Sequence, residues 1–218
     1  VNGTILWMTT FGSSEDEYAE GICFDGAHTK LLITGSTTDS LFVNNIFVAS
    51  GQQSTLVATF NFSGGLLAAK LLDFLPIRET EYFGNVGREV NGTTGGNYFL
   101  FSDCQGSDWL GGDSIVAPVE GRYLVKLNSS LDTVWRKYVI GPGCYYGWSG
   151  DDLRTSVSGN PYLTSYCSYH YGGMGHLEKF NPSNGMVIWD EMHEDGRFNN
   201  IFIEGNTIFS VGVEGANY

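Results

Sequence analysis

One outline recurs along this chain and restricts its fold more than any other feature. In YLVKLNSSLDTVWRKYVIG, residues 123–141, an alternating apolar run ends in Asn, a polar turn follows, and a second apolar run opens on a tryptophan. HLEKFNPSNGMVIWDEM (176–192) and LVATFNFSGGLLAAKLLDF (56–74) repeat it, and the opening VNGTILWMTTFG carries its second half. Aligned on the start of the second run, the anchors are Trp7, Ala68, Trp135 and Trp189, separated by 61, 67 and 54 residues. Self-similarity on this scale marks a repeated supersecondary unit, stacked so that neighbours bury each other's apolar faces.

Each unit has room for four short strands. After the strand at Trp7, strands are predicted over 19–24, 31–36 and 56–61; the second unit offers 68–74, 83–90, 98–102 and 123–128; the third offers 134–140, 153–158, 162–166 and 177–181. A fourth unit supplies 186–192, 200–203 and 207–213. The units span 3–61, 66–128, 133–181 and 186–218, the last incomplete. Four strands in about 50 to 60 residues is the arithmetic of a propeller blade and not of a sandwich. Only LLAAKLLDF has a helical period, and the repeat alignment assigns it to a strand. Thirty glycines and 14% aromatic residues suit many short strands joined by tight turns.

The recurring tryptophan has a physical role in such a stack. A flat side chain burying ~150 to 250 Å² at one place per unit fills the wedge between neighbouring sheets. Ala68 breaks the pattern, and a bulky neighbour, Phe74 or Phe83, is expected to compensate.

The stretch TTFGSSEDEYAEGICFDGAHTKLLITGSTTDS resembles the bacterial-type β-propeller repeat called SBBP: a Gly-rich acidic turn, an apolar strand ending in Asp, a turn, and a strand ending in Thr-Gly-x-Thr. NPSNGMVIW, from Asn181 to Trp189, resembles the Asp-Pro-x-Thr-Gly-x-x-x-Trp turn of quinoprotein-type propellers, departing from it at Asn181 and Asn184. Both resemblances imply an all-β propeller with about four blades in this chain, out of a ring of about seven. Neither implies a specific activity, since the fold hosts many. With a fourth unit lacking its outer strand, the expectation is a section of a longer polypeptide, or identical chains completing one another.

A formal charge of -13, from 24 acidic and 11 basic side chains, excludes nucleic acid as a partner, because polyphosphate would be repelled. The longest apolar stretch, LLAAKLLDFL, is interrupted by Lys70 and Asp73 and is half the length of a membrane span. No membrane insertion is expected. Four cysteines and four Asn-x-Ser/Thr acceptors, Asn2, Asn61, Asn91 and Asn128, fit a secreted or cell-surface glycoprotein. Asn2, Asn61 and Asn128 fall in equivalent turns, whereas Pro182 blocks the fourth equivalent, Asn181. Sugar on those turns would cover one face of a ring and leave the other available.

Several residue groups are candidate sites. Glu15, Asp16 and Glu17 offer carboxylates to a calcium ion, or structurally to turn amides. Cys144 with Cys167 is the preferred disulfide, with Cys104 to Cys144 as the alternative, and Cys23 is expected as a buried thiol. A zinc site would draw on Cys144, Cys167, His170 and His176, without paired Cys-x-x-Cys spacing. Two long loops, 40–55 and 104–121, carry Phe42, Ile46, Phe47, Trp109, Ile115 and Val116. Apolar side chains in loops point to a contact surface or to folding back on the sheet edges.

Chemistry is poorly represented. No Gly-x-Ser-x-Gly elbow, His-Glu-x-x-His or phosphate-cradling Gly-rich loop occurs. SLDTVW (130–135) resembles the Asp-box of sialidases without its glycine. YYGWSGDD (145–152), with Tyr166, Tyr169 and Tyr171, offers aromatic faces and the carboxylates Asp151 and Asp152 to a sugar. The expected function is an extracellular scaffold or interaction module, without enzymatic activity or cofactor, adhesive or filament-forming. Its partners would be neighbouring copies of itself or other extracellular proteins. The alternative is a carbohydrate-binding or carbohydrate-processing propeller, and a quinoprotein-like oxidoreductase ranks third.

Overall fold

The structure is a computed structural model that describes residues 4–12, 17–37, 40–44, 46–49, 54–72, 87–93, 96–104, 109–110, 113–114, 121–139, 148–169, 172–194 and 196–214. It is all-β: nineteen strands and no helix among the described residues. Three four-stranded antiparallel sheets follow one another. Sheet I contains β2 (Glu17–Phe24), β3 (Leu31–Thr37), β6 (Ser54–Phe60) and β7 (Leu66–Leu72). Sheet II contains β8 (Gly87–Gly92), β9 (Tyr98–Cys104), β12 (Gly121–Leu127) and β13 (Thr133–Val139). Sheet III contains β14 (Trp148–Thr155), β15 (Pro161–Tyr169), β16 (Gly172–Phe180) and β17 (Val187–Glu194). A hairpin, β18 (Gly196–Glu204) and β19 (Thr207–Glu214), comes next. The remaining strands form a small sheet of β1 (Phe11–Gly12), β4 (Leu41–Val43) and β5 (Ile46–Ala49), and a two-residue ladder of β10 (Trp109–Leu110) with β11 (Asp113–Ser114).

In each large sheet the strands are hydrogen-bonded in chain order, and irregularities recur at fixed places. The first strand bulges between Ala19 and Gly21 in sheet I, Gly87 and Glu89 in sheet II, Gly150 and Asp152 in sheet III, and Phe198 and Asn200 in the hairpin. The register between third and fourth strands shifts at Thr59/Phe60, Lys126/Leu127 and Lys179/Phe180. A bulge adds local twist, so placing it identically gives the sheets a common curvature.

The sheets stack face to face. Leu32 and Val57 of sheet I share a core with Tyr98, Leu100, Tyr123 and Val125 of sheet II. From the opposite face of sheet II, Phe99, Phe101 and Leu124 meet Leu153, Leu163 and Phe180 of sheet III. The run YFLF at 98–101 is therefore apolar without alternation because both faces of β9 are covered. Tyr162 and Leu177 of sheet III meet Ile201 of the hairpin. On its other side, sheet I packs Leu56, Ala58 and Phe60 against Leu41 and Val43 of the small sheet. The first strands are neighbours in turn, β2 beside β8, β8 beside β14, and β14 beside β18. The approach is close: a side chain at Gly92 would collide with the carbonyl of Phe24.

The sequence located the repeat but not its phase. The strands containing Ala68, Trp135 and Trp189, expected to open units at 66, 133 and 186, instead close the preceding sheets as β7, β13 and β17. The physical reason is the short Asn turn, which joins its two flanking strands as a hydrogen-bonded hairpin and leaves no room for a crossing between sheets. Trp7 lies in segment 4–10, outside any strand. LLAAKLL is a strand, as the repeat alignment requires.

Candidate functional site

The Asn turns are built alike. The Asn61 carboxamide oxygen accepts the N–H groups of Ser63 and Gly65, at 2.9 and 2.8 Å. The Asn128 oxygen accepts those of Ser130 and Asp132, both at 2.9 Å. Asn181 accepts the N–H of Ser183 at 2.8 Å. An Asn side chain imitating a backbone acceptor is the usual stabiliser of such a turn. Each turn needs one left-handed residue, supplied by Gly64 (φ 79°), Leu131 (φ 64°) and Gly185 (φ 70°).

These turns form seats between sheets. Trp135, on the fourth strand of sheet II, lies over Gly185 of the sheet III turn, so close that a Cβ there would stand 2.8 Å from the indole. Its Nε1–H donates to the carbonyl of Pro182 at 3.1 Å, and Lys126 Nζ donates to the same oxygen at 2.9 Å. Trp7 lies over Gly64 in the same way. At the intervening seat Ala68 stands where the tryptophans do, opposite Thr59 as Trp135 is opposite Lys126 and Trp189 opposite Lys179. There the turn carries Leu131, fully buried in the core against which Ala68 packs. Volume lost on one side of the seat is restored on the other. Phe74 and Phe83, expected to compensate, lie outside the described residues. Lys70, two residues after Ala68, pairs with Asp132 of the next turn. That ammonium, with Asn128, holds the Asp132 carboxyl below its ordinary range.

The turns at the other end of the sheets are equally regular. Burial pushes the Asp25 carboxyl up, but hydrogen bonds from the N–H groups of Lys30 and Thr29 and from the Thr29 hydroxyl outweigh it and leave the group below the usual carboxylate range. Thr93 and Ser156 head the corresponding turns of sheets II and III, their hydroxyls accepting from the N–H groups of Asn97 and Asn160.

The densest group of titratable side chains lies on the sheet III face turned toward sheet II. Ser165 stands opposite His176 in register, and His176 Nδ1 is 3.3 Å from Asp190 Oδ1. Glu178 is two pairs further along on the same face, opposite Leu163. Burial, then the Asp190 charge, raises the Glu178 pKa to about 8. A serine, a histidine and an aspartate are the residue types of an acyl-transfer triad. Here Ser165, His176 and Glu178 are all buried, so the group presents no nucleophile to solvent.

The residues singled out from the sequence are dispersed. Glu15 and Asp16 lie outside the described residues; Glu17 opens β2 and its carboxylate accepts from Thr37 Oγ1 at 3.4 Å. Among the described residues no three His, Cys, Asp or Glu side chains gather as a metal site. Cys144 and His170 lie outside the described residues, and no disulfide occurs among those described. Cys104 and Cys167 occupy equivalent places, each five residues beyond the corresponding Phe99 and Tyr162. Cys23 is half-buried against the core between sheets I and II. Asn2 lies outside the described residues and Asn91 falls within β8.

The expected loop at 40–55 is largely β-structure. Leu41 and Val43 point into the core, while Phe42 and Phe47 form an exposed edge-on ring pair, centroids 5.6 Å apart. Ile46 opens β5 and Trp109 opens β10; Ile115 and Val116 lie outside the described residues. The strand signal was visible in FVNNIFV, an apolar run broken by two asparagines.

Two members of the sugar-binding group have other duties. Asp152 is buried and accepts the Ile201 N–H at 2.9 Å and Arg154 Nε at 3.0 Å, tying β14 to β18. Tyr166 lies over Gly173 with the Arg197 guanidinium 5.6 Å from its ring centroid. Sequence reading missed the role of Asp152, whose signal was a carboxylate beside a glycine bulge.

No family model matches the chain, and no curated protein sequence does. Among solved structures, a Bacteroides caccae protein of unknown function aligns over 83% of this chain and 83% of its own, at 12% identity and a TM-score of 0.23. A superposition that loose transfers neither fold nor activity.

Proposed function

We propose that this chain is a β-propeller section acting as a non-enzymatic scaffold, an interaction module of a secreted or cell-surface glycoprotein. The observation that carries the reading is the repeated seat: Trp7 on Gly64, Trp135 on Gly185, and between them Ala68 packed against the core that holds Leu131. A seat repeated at two successive boundaries between four-stranded sheets, and matched by Trp7 on the turn of sheet I, with first strands adjacent, is what rotation about a common axis requires. Ser165, His176 and Glu178 are buried and Asp152 is tied to the backbone of Ile201, which favours a structural role for these side chains. The acidic surface and the Asn-x-Ser/Thr turns at Asn61 and Asn128 suit an extracellular setting.

A glycan panel combined with glycoside and ester substrates tests the reading. The scaffold expects neither turnover nor selective retention of any sugar class. Saturable binding of one class would replace it with the carbohydrate-binding alternative.

A further inference from the structure

The chain carries three Asn-Gly pairs, at 2–3, 91–92 and 184–185. In such a pair the glycine nitrogen, unhindered by a side chain, can attack the asparagine Cγ and close a five-membered imide. Asn184 and Gly185 lie in the Asn turn of sheet III. The equivalent places in the other two turns hold Ser63 with Gly64 and Ser130 with Leu131, so this turn alone of the three carries the reactive pair. Asn91 and Gly92 lie in β8, where Gly92 pairs with Tyr98 and its backbone abuts the carbonyl of Phe24. The pair at 2–3 lies outside the described residues.

The two reacting groups at 184–185 are held differently. Asn184 is exposed, and its Oδ1 accepts the N–H of Met186 at 3.0 Å. An Asn side chain that bonds the backbone two residues on folds its Cγ back toward the intervening nitrogen, here that of Gly185. The donated N–H also polarises the carbonyl that would be attacked. The nucleophile, by contrast, is locked. Gly185 N–H donates to the Asn181 carbonyl at 2.8 Å, and the residue is buried beneath the Trp135 indole. That indole is fixed in turn by its bond to the Pro182 carbonyl.

We infer that Asn184 is a deamidation site gated by Trp135, reactive when the indole leaves the sheet III turn. Once the Gly185 nitrogen has lost its proton to hydroxide, it bonds to Cγ, the Cγ–Nδ2 bond breaks, and the amide nitrogen leaves as ammonia. Water then opens the imide at either carbonyl, giving an aspartyl or an isoaspartyl link. One water is consumed and one ammonia released, with no change of oxidation state. The isoaspartyl link adds a methylene to the main chain inside the turn that Gly185 N–H and Asn181 N–H close through the carbonyls of Asn181 and Met186. The altered turn no longer fits the indole, so a transient opening between sheets II and III becomes permanent.

Peptide mass spectrometry of the 218-residue chain, incubated in mildly alkaline buffer with and without urea, is the first test. Conversion at Asn184 should be at least ~tenfold slower in the folded chain, because it follows the fraction of molecules with the turn uncovered. Equal rates would overturn the inference. Trp135→Ala in native buffer should raise conversion at Asn184 by ~tenfold or more, while Asn91, released only when sheet II itself unfolds, keeps its wild-type rate. An unchanged rate at Asn184 would show that the indole is not the gate. If Asn91 accelerates as well, the variant has unfolded and Trp135→Phe decides: a rise at Asn184 alone supports the gate, and any other result refutes it. The isoaspartyl product, separated by ion exchange, should melt below the starting protein. An equal midpoint would show that the turn closes around the extra methylene and would refute the permanent opening.

Discussion

Leu131 and Ala68 occupy one inter-sheet seat, Leu131 in a left-handed backbone conformation where Gly64 and Gly185 stand, and Ala68 where Trp135 stands. A branched side chain accepts a positive φ here because its burial offsets the strain. Left-handed backbone costs a non-glycine residue roughly 1–2 kcal/mol, and burying a leucine contributes about 1.5–3 kcal/mol.

The pair is therefore expected to be coupled. Ala68→Trp should destabilise by ~1–3 kcal/mol through overpacking. Leu131→Gly should cost about 2–4 kcal/mol, its cavity partly offset by relief of the left-handed strain. The double variant should recover ~1–3 kcal/mol relative to the sum of the two. Urea denaturation of the four proteins measures the cycle, and strict additivity would contradict the shared seat.

At the next seat the indole contributes through both area and its N–H. Trp135→Phe should lose about 1 kcal/mol, the net worth of its hydrogen bond to Pro182. Trp135→Ala should lose ~3–5 kcal/mol, the range for a truncated large aromatic side chain. A Trp135→Phe variant as stable as the wild type would show that the Pro182 contact contributes nothing, and equal losses for the two variants would show that the ring area contributes nothing.

Asp152 satisfies the Ile201 N–H inside the boundary between sheet III and the hairpin. Asp152→Ala leaves that buried donor without its acceptor, a cost of ~1–3 kcal/mol. Hydrogen exchange should locate the change: amide protection is expected to fall in β18 and β19 ahead of sheets I and II. Uniform loss across all sheets would assign Asp152 a different role.

Glu178 makes stability depend on pH. Its folded pKa of about 8 lies above the ordinary 4.5, so the folded protein holds this proton more tightly than the unfolded chain. The contribution is fully present below 4.5, declines as pH rises toward about 8, and is constant above that. Asp25 and Asp132 have lowered values and act oppositely, contributing above the ordinary 3.8 and losing that contribution as pH falls below it. Asp132 is fully exposed and its effect is screened. Glu178→Gln should flatten the decline of melting temperature between pH 5 and pH 8; an unchanged slope would assign that decline to other groups.

Expression in a eukaryotic secretory host checks the extracellular reading. Asn61 and Asn128 are expected to carry glycans and Asn181 none, because Pro182 removes the acceptor signal. The carboxamide oxygens can stay in their turns, since the sugar attaches at nitrogen. Unmodified Asn61 and Asn128, resolved by peptide mass spectrometry, would weigh against a secreted glycoprotein.

The residues alone specified the strands, the period and the turn chemistry, because these are local: apolar alternation sets a strand's faces, and Asn with a left-handed residue closes a hairpin. LLAAKLL could be read as a strand, against its own propensity, only through the repeat. What the chain order did not contain was the phase, the partner of Ala68, and the burial of Ser165, His176 and Glu178. Those depend on which face meets which across residues 47 to 63 positions apart, as in Trp135 to Pro182 and Ala68 to Leu131. Packing between sheets is decided by summed volume and by hydrogen bonds to backbone, and beyond the recurring tryptophan these leave no periodic trace in the sequence.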